Sequence, residues 1–121
     1  TLLVGQLKNM GLEGTVAVKG AAVINDATLT DADASGMTKI ADKIITTGTD
    51  AVGLALKEVS TEFLEAYRSA EMVFSKGMGY AEPLTEHKLK KPHVFLLRTK
   101  CNPVANYFGT FREKNVAKLM L

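Results

Sequence analysis

Four short runs of branched and aromatic residues recur along this chain, and stretches with helical spacing separate them. That alternation limits the fold more than any other feature. The runs are Thr15–Lys19, Lys43–Thr47, Met72–Ser75 and His93–Thr99, each rich in Val, Ile, Phe, Leu or Thr. Asn115–Leu121 is a weaker fifth, because its Lys and Leu also suit a helix. None alternates strictly between apolar and polar, which is the mark of strands covered on both faces. Such strands, joined by amphipathic helices, predict an α/β fold: three layers, α/β/α, around a mainly parallel sheet with right-handed crossovers.

The intervening helices carry their own start and stop signals. Leu2–Met10 has helical apolar spacing and ends at Gly11. Thr28-Leu-Thr-Asp31 has the form of a capping box and opens a short helix that closes near Gly36. Thr49-Asp50 precedes a helix over Ala51–Val59, and Ser60 caps one whose apolar face holds Phe63, Leu64, Tyr67 and Ala70. Asn102-Pro103 reads as a cap followed by Pro at the first helical position, with Gly109 as the stop.

Size and composition bound the rest. The 121 residues make one domain, with no repeat or linker, and 46% hydrophobic content argues against disorder. No apolar run approaches the ~18 residues that cross a bilayer, so no membrane partner is expected. Fifteen basic and thirteen acidic residues give +2, too balanced to point to nucleic acid. The single cysteine, Cys101, forms no intrachain disulfide and fits a reducing, cytoplasmic setting. The chain opens in helical spacing at Leu2 without an initiator Met, which predicts a fragment of a longer protein.

In open α/β sheets, ligands bind beyond the carboxyl ends of the strands. Lys19-Gly20 and Asn25-Asp26 follow the first run, and Gly48-Thr49-Asp50 the second. Lys76-Gly77-Met78-Gly79 follow the third, and Arg98-Thr99-Lys100 end the fourth. Gly lets backbone approach a ligand closely, and Lys or Arg neutralises an anion. Together they predict an edge that takes a phosphorylated small molecule with a metal. Each element has a plainer explanation. Lys19 and Lys76 taken singly read as solvated strand ends, and Asp26 as a turn residue bonding nearby N–H groups. Arg98 and Lys100 fit a surface salt bridge. The coincidence of all of them at one edge carries the functional reading.

Other features carry less. Gly77-Met-Gly79 has Glu82 where a dinucleotide fingerprint needs its third Gly. His87, His93 and Cys101 lack metal-ligand spacing and read as surface or packing residues. Lys88, Lys90 and Lys91 form a solvated basic run, and the five methionines read as core filler.

The motifs together resemble the carboxyl-terminal catalytic half of the metal-dependent damage-control phosphatases, long classed as a domain of unknown function. One branch of that family was described as a protein carboxyl methyltransferase. The matching stretches are Val16-Ala-Val-Lys-Gly20, Ile24-Asn-Asp-Ala-Thr28, Ile45-Thr-Thr-Gly48, Lys76-Gly-Met-Gly-Tyr-Ala-Glu82, and Phe95-Leu-Leu-Arg-Thr-Lys-Cys101 leading into Pro103-Val-Ala105. They stand in family order through nearly the whole chain.

The resemblance implies roles. Asp26 is similar to the acidic ligand of a catalytic divalent cation, with Asn25 beside it shaping the turn. Lys100 is similar to the lysine that contacts phosphate. Lys76 and Gly77, then Met78, Gly79, Tyr80, Ala81 and Glu82, correspond to the substrate-contacting loop, and Arg98 joins the substrate-binding set. The cation implied is Mn²⁺ or Mg²⁺, with Ni²⁺ and Co²⁺ also compatible with oxygen ligands. Two departures bear on substrate. Lys19 stands where Arg is usual, and Gly79-Tyr80-Ala81 replaces a pattern containing Asn. The family's Asp-Asn-x-Gly-Glu segment, which carries further metal ligands, has no counterpart here; the expectation is an incomplete metal site and weak activity for this chain alone.

The expected activity of the complete protein is metal-dependent hydrolysis of phosphate monoesters of small, sugar-phosphate-like metabolites, with Asp26 and Lys100 facing one pocket. An S-adenosylmethionine-dependent carboxyl methyltransferase is a second reading, ranked lower for want of a glycine-rich loop and a ribose-binding acid. A non-catalytic domain that binds a phosphorylated ligand is the third.

Overall fold

A computed structural model of the chain describes residues 1–24, 26–51, 53–81 and 90–121. They divide into two compact units: Thr1–Ala51 with Leu56–Arg68, and Val52–Ala55 with Ser69–Leu121.

The first unit runs α1 (Leu2–Asn9), β1 (Thr15–Val18), α2 (Leu29–Ala34), a 3₁₀ turn over Met37–Lys39, β2 (Lys43–Thr46) and α3 (Thr61–Ser69, which crosses into the second unit at its last residue). β1 and β2 pair in parallel, with Thr15 opposite Lys43 and Val18 opposite Thr46. A parallel pair needs a crossover, and α2 supplies it. Its capping box forms as the sequence predicts: the Thr28 N–H and hydroxyl both donate to Asp31 Oδ2 at 2.8 Å. At the opposite end of the strands, Asp42 accepts from Lys8 Nζ at 2.6 Å and from the Gly14 N–H at 2.8 Å, tying α1 to the strand starts. These bonds hold the Asp42 carboxyl below its ordinary range, the Lys8 bond contributing most. Ser60 caps α3 by accepting the Phe63 N–H at 3.1 Å. Val18, Ala32, Ile45 and Phe63 form the buried apolar core of this unit. Full burial of each of the larger three contributes roughly 1.5–3 kcal/mol.

The second unit holds β3 (Val73–Lys76), a 3₁₀ turn over Met78–Tyr80, β4 (His93–Arg98), α4 (Asn102–Tyr107) and β5 (Asn115–Met120). Its sheet order is β3-β4-β5; β3 and β4 are parallel, and β5 runs antiparallel to β4. Phe95 is the centre of the packing. It is fully buried, tilted 58° to Phe108 at 5.6 Å and stacked on His93 at 6.1 Å. Leu54, Ala81, Leu97, Val104 and Ala105 also belong to this core.

Helices and mostly parallel strands thus place the chain in the α/β class, as the sequence predicts. Several expectations change. Ala51 and residues 53–59, the described part of that stretch, form no helix: Gly53 takes a left-handed φ of 79°, and only a turn follows at 56–58. The third strand is Val73–Lys76, one residue later than expected, so Lys76 is its last residue rather than the first beyond it. β5 is a strand, but antiparallel. β4 alternates after all: His93, Phe95 and Leu97 are buried while Val94 and Leu96 are only half-covered. The cap of α4 is Cys101, with Asn102 its first helical residue. The methionines fill no core: among those five none is buried, and Met10 is 66% exposed. Among the described residues no helix is long and apolar enough to cross a membrane.

Candidate functional site

The carboxyl ends of β1 and β2 hold the first set of candidate residues. β1 ends at Val18 and Lys19 follows. Its side chain is 0% exposed, which rules out the plainer reading of Lys19, taken singly, as a solvated strand end. A buried ammonium needs partners. Lys19 Nζ donates to the Ala51 carbonyl at 2.7 Å and lies 4.0 Å from Asp26 Oδ2, whose side chain is 40% exposed. The backbone encloses this pair. The Lys19 N–H donates to the Ala27 carbonyl at 2.9 Å, so Ala27 lies back at the strand end. Within that loop the Asp26 N–H donates to the Val23 carbonyl at 2.9 Å, and Ile24 sits at φ 51°. A β-branched residue seldom adopts that region, so the turn that aims Asp26 carries backbone strain.

The β2 end is built to match. Gly48 has φ 74°, and a Cβ there would lie 2.6 Å from Ser60 Cβ, so only Gly fits. A Cβ on Gly20 would meet the Thr49 nitrogen at 3.0 Å, which lets the two strand-end loops run backbone to backbone. Thr47 is buried and donates to the Thr49 carbonyl at 3.2 Å; the Thr49 hydroxyl accepts the Ala51 N–H at 3.1 Å. Asp50 is exposed on this loop.

The carboxyl ends of β3 and β4 hold the second set. Lys76 closes β3 opposite Leu96 and is exposed. The Gly77 N–H donates to the Leu96 carbonyl at 2.8 Å, and Gly77 takes φ 109° and ψ 155°, a conformation open to glycine. The chain then makes one 3₁₀ turn at Met78, Gly79 and Tyr80 and buries Ala81. At the end of β4, Arg98 is exposed and paired: Nε and Nη2 reach Glu113 Oε2 at 3.2 and 3.1 Å, and Nη1 reaches Asn115 at 3.4 Å. The buried Thr99 hydroxyl donates to the Phe111 carbonyl at 2.7 Å and fixes the same loop. Lys100 is exposed and makes no hydrogen bond or ion pair with a described residue. Cys101 is half-buried beside it, and His93 packs in the core with Nδ1 2.8 Å from the Lys91 carbonyl.

The structure therefore brings Asp26 to Lys19, and sets Lys76, the Met78–Tyr80 turn, Arg98 and Lys100 at one strand edge of the second unit. Asn25, Glu82, His87 and Lys88 lie outside the described residues. Sequence reasoning missed Lys19, Thr47 and Thr99 as buried groups. Each is the first residue beyond a strand, and the shared position is the signal that was available.

For a divalent cation, the Asp26 carboxylate offers a hard oxygen donor that is partly open to solvent, which suits Mg²⁺ or Mn²⁺ in kind. In number the donors fall short, since among the described residues no three of His, Cys, Asp and Glu gather into a metal cluster.

Comparison with known proteins gives a consistent picture. The sequence model of the damage-control phosphatase ARMT1-like domain matches residues 1–116. A protein of Methanocaldococcus jannaschii, described as uncharacterized, is 42% identical over 117 residues, which cover 95% of this chain and 38% of that protein. A damage-control phosphatase of Archaeoglobus fulgidus is 38% identical over 120 residues, covering 99% of this chain and 41% of the other. The crystal structure of a DUF89 family protein from Pyrococcus horikoshii superimposes with a TM-score of 0.88 at 36% identity, over 96% of this chain and 40% of that one. The chain thus spans about two-fifths of the length of these relatives.

Proposed function

The chain belongs to the damage-control phosphatase ARMT1-like domain family, and from that premise we propose that the complete protein hydrolyses phosphate monoesters of small metabolites with the help of a divalent metal ion. The observation that carries the reading is Asp26, a partly exposed carboxylate aimed from a strained turn at the carboxyl end of a parallel strand. Relatives named damage-control phosphatases support the reaction class.

Phosphoryl transfer asks a protein mainly for positioning and charge stabilisation. Asp26 would hold the cation, with Asn25 beside it and further ligands from segments beyond this chain. When bound, Mn²⁺ or Mg²⁺ polarises a phosphoryl oxygen and favours the attacking nucleophile. Lys100 and Lys76, exposed ammonium groups, neutralise charge on the phosphate. The Met78–Tyr80 turn, set by the Gly77 backbone, contacts the rest of the substrate, with Glu82 following it. Arg98 takes a smaller part, because Glu113 and Asn115 already occupy its guanidinium. The setting we propose is cytoplasmic, and the substrate a soluble phosphorylated metabolite.

The test uses the full-length protein, with p-nitrophenyl phosphate and a panel of sugar phosphates. We expect phosphate release that EDTA abolishes and Mn²⁺ restores, and that Asp26→Asn reduces at least 100-fold. Undiminished metal-dependent release from Asp26→Asn removes Asp26 from the mechanism. Sugar-phosphate binding without turnover favours a binding domain instead.

A further inference from the structure

Lys19 is buried more completely than its role as a strand-end residue explains. Its side chain has 0% exposure, so in this arrangement it cannot reach out to an external anion. A lysine is seldom placed so deep unless it is paired. Two features of the first unit converge on it. The Ala51 carbonyl, at the far end of the 48–51 loop, accepts its Nζ at 2.7 Å. The Asp26 carboxylate, on the other loop, lies 4.0 Å away. Its backbone N–H donates to the Ala27 carbonyl, beside Asp26, and the next residue, Gly20, donates to the Thr49 carbonyl at 3.3 Å. One residue therefore fastens both loops, through its main chain and through its side chain.

The charge arithmetic separates two jobs for such a group. If Lys19 acted only through its charge, an ammonium near a metal-binding carboxylate would repel the divalent cation, and removing it would tighten metal binding. If it acts by holding geometry, removing it lets the Asp26 turn and the 48–51 loop drift, and metal binding weakens. The second job suits the burial and the short bond to a carbonyl, because neutral backbone at 2.7 Å fixes position without cancelling charge.

We infer that Lys19 is a positioning residue: a buried strut that locks the Asp26 turn to the Thr49–Ala51 loop and so pre-forms the carboxylate for its ligand, touching neither metal nor substrate. This rests on the reading of Asp26 given above.

The experiment compares wild type, Lys19→Met, Lys19→Arg and Asp26→Asn in the full-length protein, with three readouts: Mn²⁺ affinity by calorimetry, amide hydrogen exchange, and melting temperature. Met keeps the apolar stem and removes the ammonium. The strut predicts at least tenfold weaker Mn²⁺ binding in Lys19→Met, with the Gly20 and Ala51 amides exchanging at least tenfold faster. It predicts Mn²⁺ affinity within threefold of wild type in Lys19→Arg. Equal or tighter Mn²⁺ binding in a folded Lys19→Met, or unchanged exchange at both amides, overturns it. Should Lys19→Met not fold, a folded Lys19→Arg decides: affinity within threefold supports the strut, and a tenfold loss overturns it. If wild type binds no Mn²⁺, or Asp26→Asn binds it equally well, the metal reading fails separately, and the exchange rates alone judge the strut.

Discussion

The two units place lysines at equivalent ends of parallel strands and treat them in opposite ways. In the first, Lys19 is buried, bonded to the Ala51 carbonyl and set beside Asp26. In the second, the side chains of Lys76 and Lys100 stand in solvent and make no hydrogen bond or ion pair with a described residue. Depth decides the use. A buried ammonium loses hydration and must be satisfied inside, so it fixes structure. An exposed one keeps its hydration and its freedom, so it stays available to an anion. The neighbouring Arg98 shows a third outcome: exposed, yet held by Glu113 at 3.1 Å. Topological position alone therefore does not assign a role; the surroundings of the side chain do.

The comparison can be broken most sharply at Asp26. Asp26→Asn removes the charge that faces Lys19 and the proposed metal ligand at once. We expect at least a 100-fold loss of metal-dependent phosphatase activity in the full-length protein, with a modest fall in stability, about 1–3 kcal/mol by denaturant titration, as the buried ammonium loses its carboxylate. Gly48→Ala comes next. It forces an L-residue into φ 74° and a Cβ within 2.6 Å of Ser60. A loss of roughly 2–4 kcal/mol is expected, and a melting temperature equal to wild type would show that the loop relaxes freely.

Lys100→Met sharpens the contrast from the other side. Stability should stay within about 0.5 kcal/mol of wild type, as for an exposed site. Activity should fall tenfold or more through the phosphate contact, while Arg98→Met costs less because Glu113 already engages that charge. Equal losses from both substitutions would end the distinction between a free and a tethered cation.

The smallest effect concerns acid. The Asp42 carboxyl sits below its ordinary 3.8 because Lys8 and Gly14 donate to it, and Asp31 below the same value because Thr28 does. A depressed carboxyl adds stability above its unfolded value and loses it as pH falls through the folded one. Thermal melts between about pH 5 and pH 2 should therefore converge for wild type and Asp42→Asn as the pH drops. Both carboxylates are exposed, so the gap at neutral pH should be small.

How far the sequence reaches follows the same line between local and distant causes. Strand runs, the Thr28–Asp31 capping box and the Ser60 cap depend on neighbours a few residues apart, and all three appear in the structure. The expected helix at 51–59 fails on a local signal given too little weight, Gly53, which turns left-handed. The Lys19–Ala51 bond, the Arg98–Glu113 pair and the direction of β5 come from contacts 15 or more residues apart, and no periodicity encodes them. The Asn-Asp and Arg-Thr-Lys stretches were readable as motifs. That Asp26 would have a buried lysine as its neighbour was not.

The most direct test of the account is a Mn²⁺ titration of phosphate release by the full-length protein, wild type against Asp26→Asn. Saturable, Mn²⁺-dependent turnover in wild type, with Asp26→Asn at least 100-fold slower, is the expected result. Turnover that is independent of added metal and identical in the two proteins would contradict it.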